Sequence, residues 1–326
     1  MADVFHGGRL DAAIAIYGGN REEWLDLSTG INPNPYPVPE VSDDAWTRLP
    51  DASAEQNLLD AAREYYQVPE TFEIVPAPGT QAIIELLPRV ISSSDVSIVS
   101  PTYSEHENVW RKAGLSTHKM LGLNGAANTF VVVNPNNPTT HVWAPSELLG
   151  AAERCENLIL DEAFSDPVSD CSIIPHIRDN MIVLRSFGKF FGLAGLRLGF
   201  AVCASSMAFR LRSLIGPWAV SGPALQIGAD ALRNTEWISD TVYRLQVDSE
   251  NLSKVLENNG FVLEGINPLF VSAKHQKADE VFEFLAKKHI LVRPFPDREG
   301  YLRFGLCKNS GELERLEKAL KAFSHV

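Results

Sequence analysis

Short apolar runs alternate with amphipathic helical stretches between residues 58 and 209 of the 326-residue chain. The apolar runs are continuous, which is typical of strands that are buried on both faces of a parallel sheet. We predict strands at residues 98–100, 130–133, 158–160, 182–184 and 198–202. Strands that alternate with helices in this way predict an α/β fold with a mostly parallel sheet covered by helices.

A second pattern follows the helical stretch at residues 224–259, which suits one long helix or two joined helices. Beyond it we predict strands at 261–263, 269–273, 290–293 and 301–306, and helices at 277–288 and 311–324. These elements form a small α+β unit. Because chains of this length usually divide into domains, we predict a large domain at 26–230 and a small domain made of 1–25 and 231–326.

The charge balance limits the classes of partner. Lys and Arg number 29 against 41 Asp and Glu, which gives a net charge of −12 and opposes binding to nucleic acid or to an anionic membrane. No secretory signal is visible in the first residues, so we expect a cytoplasmic protein. The four cysteines are scattered, which predicts reduced packing residues and no metal site.

Lys189 is the residue with the most specific chemistry. The segment Ser186-Phe187-Gly188-Lys189 follows an apolar strand and precedes a glycine-rich stretch, so the lysine lies where a sheet edge opens into a cleft. A lysine amine can form an imine with a carbonyl cofactor. Ser186 and Arg197 offer a hydroxyl and a guanidinium that can bind a phosphate.

Two further polar residues follow predicted strands. Asp161 ends the strand at 158–160, where its carboxylate can pair with a pyridinium nitrogen. Asn137 belongs to a proline-fixed loop after the strand at 130–133, and its amide can contact a phenolic oxygen.

Gly79-Thr80-Gln81 begins a helix, where free N–H groups favour phosphate, and Tyr103 offers an aromatic face for stacking on a ring. Taken singly, each of these residues also has an ordinary explanation as a surface lysine, helix cap, turn or packed aromatic residue.

Six motifs that occur in one order favour the functional explanation of these residues over the ordinary ones. They resemble the fold-type-I aminotransferase superfamily, and the resemblance runs from His6 to about Leu316. The motifs are Gly79-Thr80-Gln81, Pro101-Thr102-Tyr103, Asn137-Pro138-Thr139, Asp161-Glu162-Ala163-Phe164, Ser186-Phe187-Gly188-Lys189 and Leu193-Ala194-Gly195-Leu196-Arg197-Leu198-Gly199.

The resemblance implies a fold-type-I transferase that uses pyridoxal 5'-phosphate. Lys189 would hold the cofactor as a Schiff base, Asp161 would pair with its ring nitrogen, and Tyr103 would stack on the ring. Asn137 would meet the phenolic oxygen. The cofactor phosphate would be bound at the start of the helix that follows Gly79 and by two side chains near Lys189. These residues are Gly79, Thr80, Gln81, Ser186 and Arg197.

Within the superfamily the chain is most similar to the branch that contains histidinol-phosphate aminotransferases and threonine-phosphate decarboxylases. Phe164 replaces a tyrosine that is usual in aminotransferases of this branch, and Phe5-His6-Gly7-Gly8 is similar to the start of the decarboxylases. The resemblance therefore implies decarboxylation of L-threonine O-3-phosphate in cobalamin biosynthesis. The alternatives are a histidinol-phosphate or related aminotransferase and a non-catalytic cofactor-binding domain.

Four residues are candidates for the substrate, a small phosphorylated amino acid. By resemblance, Arg303 matches an arginine that holds the α-carboxylate of the substrate, and Arg293 matches one that helps to hold the distal phosphate. In a decarboxylase the division between phosphate and carboxylate stays open. His6 and Asn32 are further candidates, carried over by motif.

The resemblance also implies a homodimer. The segment Arg48-Leu49-Pro50-Asp51 is similar to one that commonly reads Arg-Tyr-Pro, whose tyrosine reaches the cofactor phosphate of the neighbouring subunit. Leu49 cannot make that hydrogen bond, so either phosphate binding is weaker in this chain or other donors compensate.

Overall fold

The structure is a computed structural model, and it describes residues 7–323. Within that range twelve α-helices alternate with thirteen strands. The helices are α1 (Leu10–Tyr17), α2 (Asp43–Thr47), α3 (Ala52–Tyr66), α4 (Thr80–Val90), α5 (Glu105–Lys112), α6 (Pro145–Ala152), α7 (Phe187–Phe190), α8 (Ser205–Ile215), α9 (Gly222–Arg233), α10 (Thr235–Asn258), α11 (Ala278–Lys287) and α12 (Ser310–Phe323).

The strands are shorter and lie in three sheets. They are β1 (Leu25–Asp26), β2 (Glu73–Ala77), β3 (Asp95–Val99), β4 (Ser116–Met120), β5 (Ala127–Val133), β6 (Cys155–Asp161), β7 (Met181–Ser186), β8 (Gly199–Cys203), β9 (Val262–Asn267), β10 (Phe270–Lys274), β11 (Ile290–Leu291), β12 (Arg293–Pro294) and β13 (Tyr301–Gly305).

The chain divides into two compact units. Within the described residues, one unit comprises 7–34, Pro138–Thr140 and 240–323, and the other comprises Pro35–Asn137 and His141–Ser239. We call them the small unit and the large unit. These divisions, at 34/35 and 239/240, each fall nine positions after the predicted domain limits at 25/26 and 230/231.

The large unit is built on a seven-stranded sheet in the order β2-β8-β7-β6-β5-β3-β4. Only β8 runs against its neighbours β2 and β7, so the sheet is mostly parallel and the predicted α/β fold is confirmed. The central strands β5, β6 and β7 are buried along most of their length, as their continuous apolar runs predict. Helices such as α4 pack apolar side chains against the sheet, and Trp110 of α5 is fully buried there.

The small unit contains an antiparallel sheet in the order β12-β13-β10-β9 and a short parallel pair, β1 with β11. The predicted helical stretch at 224–259 is two helices, α9 and α10, separated at Asn234. Among the described residues no helix is long and apolar enough to cross a membrane. The same residues contain no cluster of His, Cys, Asp or Glu side chains arranged to hold a metal ion.

Candidate active site

Five strands of the large unit point the same way, and a predicted motif follows the carboxyl end of each. These strands are β2, β3, β5, β6 and β7, four of which are neighbours in the order β7-β6-β5-β3. Because the carboxyl ends of parallel strands meet at one edge of a sheet, this topology collects the motifs there. Residues that are up to about a hundred positions apart in the chain thus share one edge.

Lys189 lies in the short helix α7, directly after β7. Its Nζ atom lies 5.6 Å from the centroid of the Phe164 ring, so position 164 borders the lysine. The turn is tight, because a Cβ atom on Gly188 would lie 2.8 Å from the Cα atom of Ala194. The glycine before the lysine is therefore needed for the backbone to pass this point.

Asp161, at the end of β6, is buried and has partners at both carboxylate oxygens. Oδ1 accepts a hydrogen bond of 3.0 Å from the backbone N–H of Ala163. Oδ2 lies 2.9 Å from Nε2 of His106, which is fully buried in α5. A carboxylate can only accept, so Nε2 is the ring nitrogen that donates.

His106 is a site residue that the sequence analysis missed. It lies three positions after Tyr103, and the two rings meet edge to face at 5.9 Å. The hydroxyl of Tyr103 in turn donates to Oε1 of Gln81, at 3.1 Å. A chain of contacts therefore links Asp161, His106, Tyr103 and Gln81. The position of His106 three residues after Tyr103 was the available signal, but nothing in the sequence identified Asp161 as the partner.

The asparagine loop after β5 is held by its own side chains. Asn134 donates to the carbonyl oxygens of Trp143 and Cys171, at 3.1 and 3.3 Å. Asn136 accepts from Thr102 at 2.6 Å and donates to the carbonyl of Pro101 at 2.9 Å, which ties this loop to the Tyr103 segment. Two asparagines therefore fix the loop, and the third, Asn137, is also buried.

The predicted phosphate cradle lies at the start of α4. Gly79 adopts a φ of +85°, and a Cβ atom there would lie 2.6 Å from Nη2 of Arg197, so the guanidinium borders the helix N-terminus. A Cβ atom on Gly199 would lie 2.5 Å from the backbone nitrogen of Thr80. Both glycines thus permit close approach, and the first-turn N–H groups of a helix attract anions. Ser186, the last residue of β7, is also buried.

A buried ionic cluster lies beside Asp161 and Ser186 in the chain. Arg185 pairs with Glu162 at 2.8 Å and with Asp166 at 2.7 Å, and all three side chains are almost fully buried. Burial raises the pKa of both carboxyl groups, and the charge of Arg185 opposes that shift. The cluster joins the ends of β6 and β7, the strands that carry Asp161 and Ser186.

The substrate candidates Asn32, Arg293 and Arg303 belong to the small unit, whereas His6 lies outside the described residues. Arg293 of β12 and Arg303 of β13 are directly opposite each other in the antiparallel ladder. Arg303 is 2% exposed and donates through Nη2 to the carbonyl of Ser28 at 2.8 Å. Burial and the charge of Arg293 lower the pKa of Arg303 well below its ordinary value. Like charges directly opposite each other in a sheet are destabilising, and an anion bound to both arginines would offset that repulsion.

Comparison with known proteins identifies the family of this chain. The family model described as aminotransferase class I and II matches residues 23–322. The chain belongs to this family. A threonine-phosphate decarboxylase of Sinorhizobium is 40% identical over 98% of both chains. Another, of Pseudomonas aeruginosa, is 37% identical over 98% of this chain and 97% of its own.

A solved structure shows the same fold at lower identity. The histidinol-phosphate aminotransferase of Sinorhizobium meliloti, in complex with pyridoxal-5'-phosphate, superposes with a TM-score of 0.83 and 16% identity over 98% of this chain and 96% of that one. The fold expected from the resemblance, that of a fold-type-I transferase, is therefore confirmed. At this identity the likeness concerns the fold and not the substrate.

Proposed function

We propose that this protein is a pyridoxal-phosphate enzyme that decarboxylates L-threonine O-3-phosphate to (R)-1-aminopropan-2-yl phosphate and carbon dioxide. The observation that carries the proposal is the 40% identity, over 98% of both chains, with a threonine-phosphate decarboxylase. A second decarboxylase at 37% identity supports the same activity. A place in cobalamin biosynthesis is part of the proposal.

The residues of the large unit fit the cofactor. The N-terminus of α4, the Arg197 guanidinium beside Gly79 and the buried Ser186 hydroxyl offer donors for its phosphate. Asp161 offers a carboxylate for the ring nitrogen, and Lys189 offers the amine for covalent attachment. We assign Tyr103 to the face of the ring and Asn137 to its phenolic oxygen. Thr80 and Gln81 are assigned to the phosphate.

Pyridoxal phosphate, when bound, supplies an electron sink for the bond that breaks at the substrate Cα. Asp161 keeps its acceptor oxygens in place because Ala163 and His106 each hold one of them. Once the substrate amine replaced it on the cofactor, Nζ of Lys189 would be available to hold a proton. Because decarboxylation replaces the carboxylate by a hydrogen, Cα must receive a proton, and we assign its delivery to Nζ of Lys189.

The arginine pair of the small unit is proposed to bind the two anionic groups of the substrate. A carboxylate and a phosphate together match two guanidinium groups, each of which can make paired, charge-assisted hydrogen bonds. We propose Arg293 for the phosphate, and Arg303 either for the carboxylate or as a second phosphate ligand, with His6 and Asn32 as further ligands. Contacts that set which Cα bond stands perpendicular to the cofactor ring choose the reaction.

Phe164 bears on the choice between decarboxylation and transamination. Its ring lies beside Lys189 and carries no hydroxyl, so position 164 cannot hydrogen-bond to the cofactor. An aminotransferase acting on histidinol phosphate would have the same fold, and the solved aminotransferase structure shows this. The 40% and 37% identity with two threonine-phosphate decarboxylases favours decarboxylation.

A homodimer and a cytoplasmic location complete the proposal. Trp46 and Leu49 are 67% and 66% exposed in the large unit, and two large apolar side chains three positions apart suit burial against a second copy. Four cysteines without disulfides suit a reducing compartment. Sedimentation of the wild-type protein and of Leu49→Asp tests the dimer, which should be present in the wild type and weakened in the variant.

The activity is tested with two incubations of the purified holoenzyme. With L-threonine O-3-phosphate alone, we expect release of carbon dioxide and an equal amount of aminopropanol phosphate. With histidinol phosphate and 2-oxoglutarate, we expect no glutamate above the Lys189→Ala control. Glutamate formation without carbon dioxide release from the first substrate would identify an aminotransferase instead.

A further inference from the structure

The ends of β6 and β7 are joined by side chains as well as by the sheet. Glu162 directly follows Asp161, the last residue of β6, and its backbone N–H donates to the carbonyl of Leu184 at 2.9 Å. Arg185 directly precedes Ser186, the last residue of β7, and its Nη1 atom lies 2.8 Å from Oε2 of Glu162. An ion pair therefore connects the chain neighbours of two residues that we assign to different groups of the cofactor, its ring nitrogen and its phosphate.

Further partners hold both members of this pair in place. Oε1 of Glu162 accepts a hydrogen bond of 2.8 Å from the backbone N–H of Ile173, and Oε2 accepts one of 2.7 Å from the hydroxyl of Ser172. Nη2 of Arg185 donates to Oδ1 of Asp166 at 2.7 Å. The side chains of Arg185 and Glu162 are 3% and 0% exposed, so water does not compete for these contacts. The pair is thus held in one arrangement.

The stability of the fold is not a sufficient reason for this arrangement. Two buried carboxyl groups share one guanidinium, and burial raises the pKa of both. Nε of Arg185 is buried and has no hydrogen-bond partner within residues 7–323. Buried ion pairs often stabilise a protein no more than well-packed apolar side chains of similar size would. The planar fork of a guanidinium does, however, fix the positions of the groups that it binds.

We propose that Arg185 and Glu162 are positioning residues that set the spacing between Asp161 and Ser186. This inference rests on the proposed contacts of Asp161 with the ring nitrogen of the cofactor and of Ser186 with its phosphate. Side chains alternate along a strand, so Arg185 points to the sheet face opposite Ser186 and acts without touching the cofactor. Because one small cofactor must meet both Asp161 and Ser186, a change in their spacing weakens at least one of the two contacts.

Two substitutions disturb the geometry of the pair. Arg185→Lys keeps the charge but replaces the planar fork by a single ammonium group. Glu162→Gln keeps the size, but its amide has one acceptor oxygen and must present its NH2 group to Arg185 or to the N–H of Ile173. Each should raise the apparent Kd for pyridoxal phosphate by about 2- to 13-fold, the range for one weakened hydrogen bond. The measurement is a titration of the apoprotein that follows the lysine-bound absorption band.

Two control variants separate position from charge and from general stability. Asp166→Asn removes the same negative charge as Glu162→Gln, but its amide oxygen can still accept from Arg185, and position 166 does not adjoin Asp161. It should raise the Kd less than Glu162→Gln does. Arg63→Lys removes a fork that binds three backbone carbonyls after α3. It should lower the thermal midpoints of apoprotein and holoenzyme alike and leave the Kd unchanged.

A double variant tests whether Arg185 acts through Ser186. Ser186→Ala alone should raise the Kd, because it removes a donor to the cofactor phosphate. Arg185→Lys made in the Ser186→Ala protein should then raise the Kd by a smaller factor than it does in the wild type, since one of the two contacts that the arginine positions is gone. Equal factors in the two backgrounds would show that Arg185 does not act through Ser186 and would overturn its role.

The remaining outcomes are distinct. A wild-type Kd in both Arg185→Lys and Glu162→Gln would overturn the proposal, as would equal effects of Glu162→Gln and Asp166→Asn, because charge would then explain them. If Arg185→Lys does not fold, the comparison of Glu162→Gln with Asp166→Asn decides alone. A wild-type holoenzyme that releases no carbon dioxide from L-threonine O-3-phosphate would contradict the proposed function instead, and it would leave these cofactor measurements valid.

Discussion

Replacing Arg293 by methionine tests the assignment of the arginine pair to the substrate anions. Arg293 and Arg303 oppose each other on β12 and β13, and the pKa of Arg303 is lowered by burial and by this neighbour. A bound anion would offset both the cost of burying the Arg303 charge and the repulsion from Arg293. Methionine keeps much of the apolar stem but removes the charge and the hydrogen-bond donors.

The expected magnitude follows from the kind of contact that is lost. A hydrogen bond to a charged group contributes about 1.5–3 kcal/mol, so Arg293→Met should raise the dissociation constant for phosphate by about 10- to 150-fold. Phosphate at about 100 times its wild-type Kd stabilises the wild type by about 2.7 kcal/mol, and the same concentration should stabilise the variant by only about 0.3–1.4 kcal/mol.

The assay is the thermal unfolding midpoint of the holoenzyme with and without inorganic phosphate, together with steady-state kinetics. The cofactor fills its own phosphate cradle in the holoenzyme, so added phosphate reports on the substrate site. Lys274→Met is the matched control, because Lys274 is an exposed cation on β10 of the same sheet. It should keep the full phosphate-dependent shift.

If Arg303 binds the phosphate, Arg303→Met should lose as much phosphate stabilisation as Arg293→Met. If Arg303 holds the carboxylate, Arg303→Met should lose less phosphate stabilisation than Arg293→Met and show a larger fall in kcat. The reasoning would be refuted if Arg293→Met kept both the wild-type phosphate shift and the wild-type KM. The anion site would then lie away from the arginine pair.

Three further predictions concern the large unit and the cysteines. His106→Leu removes the side chain that holds Oδ2 of Asp161, so kcat should fall by about 10- to 150-fold, while His106→Gln should recover part of it; unchanged rates with both would contradict the positioning of Asp161. Lys189→Ala should retain the cofactor non-covalently and lose its lysine-bound absorption band, whereas persistence of that band would point to another lysine. Thiol reagents at pH 8 should leave the buried Cys171, Cys203 and Cys307 unmodified until the protein unfolds, and rapid labelling of any of these three in the folded protein would refute their burial. The physical reason is that burial raises the cysteine pKa values, to about 11 for Cys155 and to about 12 for Cys171, Cys203 and Cys307.

The parts of the fold that the sequence predicts are those in which one physical signal dominates. The central strands β5, β6 and β7 are buried between helices, so their apolar runs are continuous and easy to recognise. The edge strand β4 was not predicted, because Ser116–Met120 is largely polar and exposed and shows no apolar run. The strand β2 was missed because Glu73 and Pro76 interrupt its pattern, and its pairing with β8 is a tertiary contact.

In the candidate site, too, some residues are visible from local sequence and others depend on tertiary contacts. Local motifs indicate Lys189 as a candidate, because the glycine before the lysine and the apolar strand before that glycine are visible in one short segment. The partner of Asp161 was not identifiable, since His106 lies 55 positions away and meets it only when β6 and α5 are folded. The roles of Asn134 and Asn136 in fixing their loop were hidden for a similar reason: their partners include Trp143, Cys171 and Thr102.

The fate of the Cα hydrogen tests the central claim most directly. L-threonine O-3-phosphate that carries deuterium at Cα is incubated with the holoenzyme in ordinary water, and the phosphorylated product is analysed by mass spectrometry. Decarboxylation breaks the bond to the carboxylate, so the account predicts aminopropanol phosphate that retains the deuterium and gains one hydrogen from the solvent. Loss of the deuterium to water with the carboxylate retained would show that the Cα–H bond is broken instead, and it would contradict the assignment of this protein as a decarboxylase.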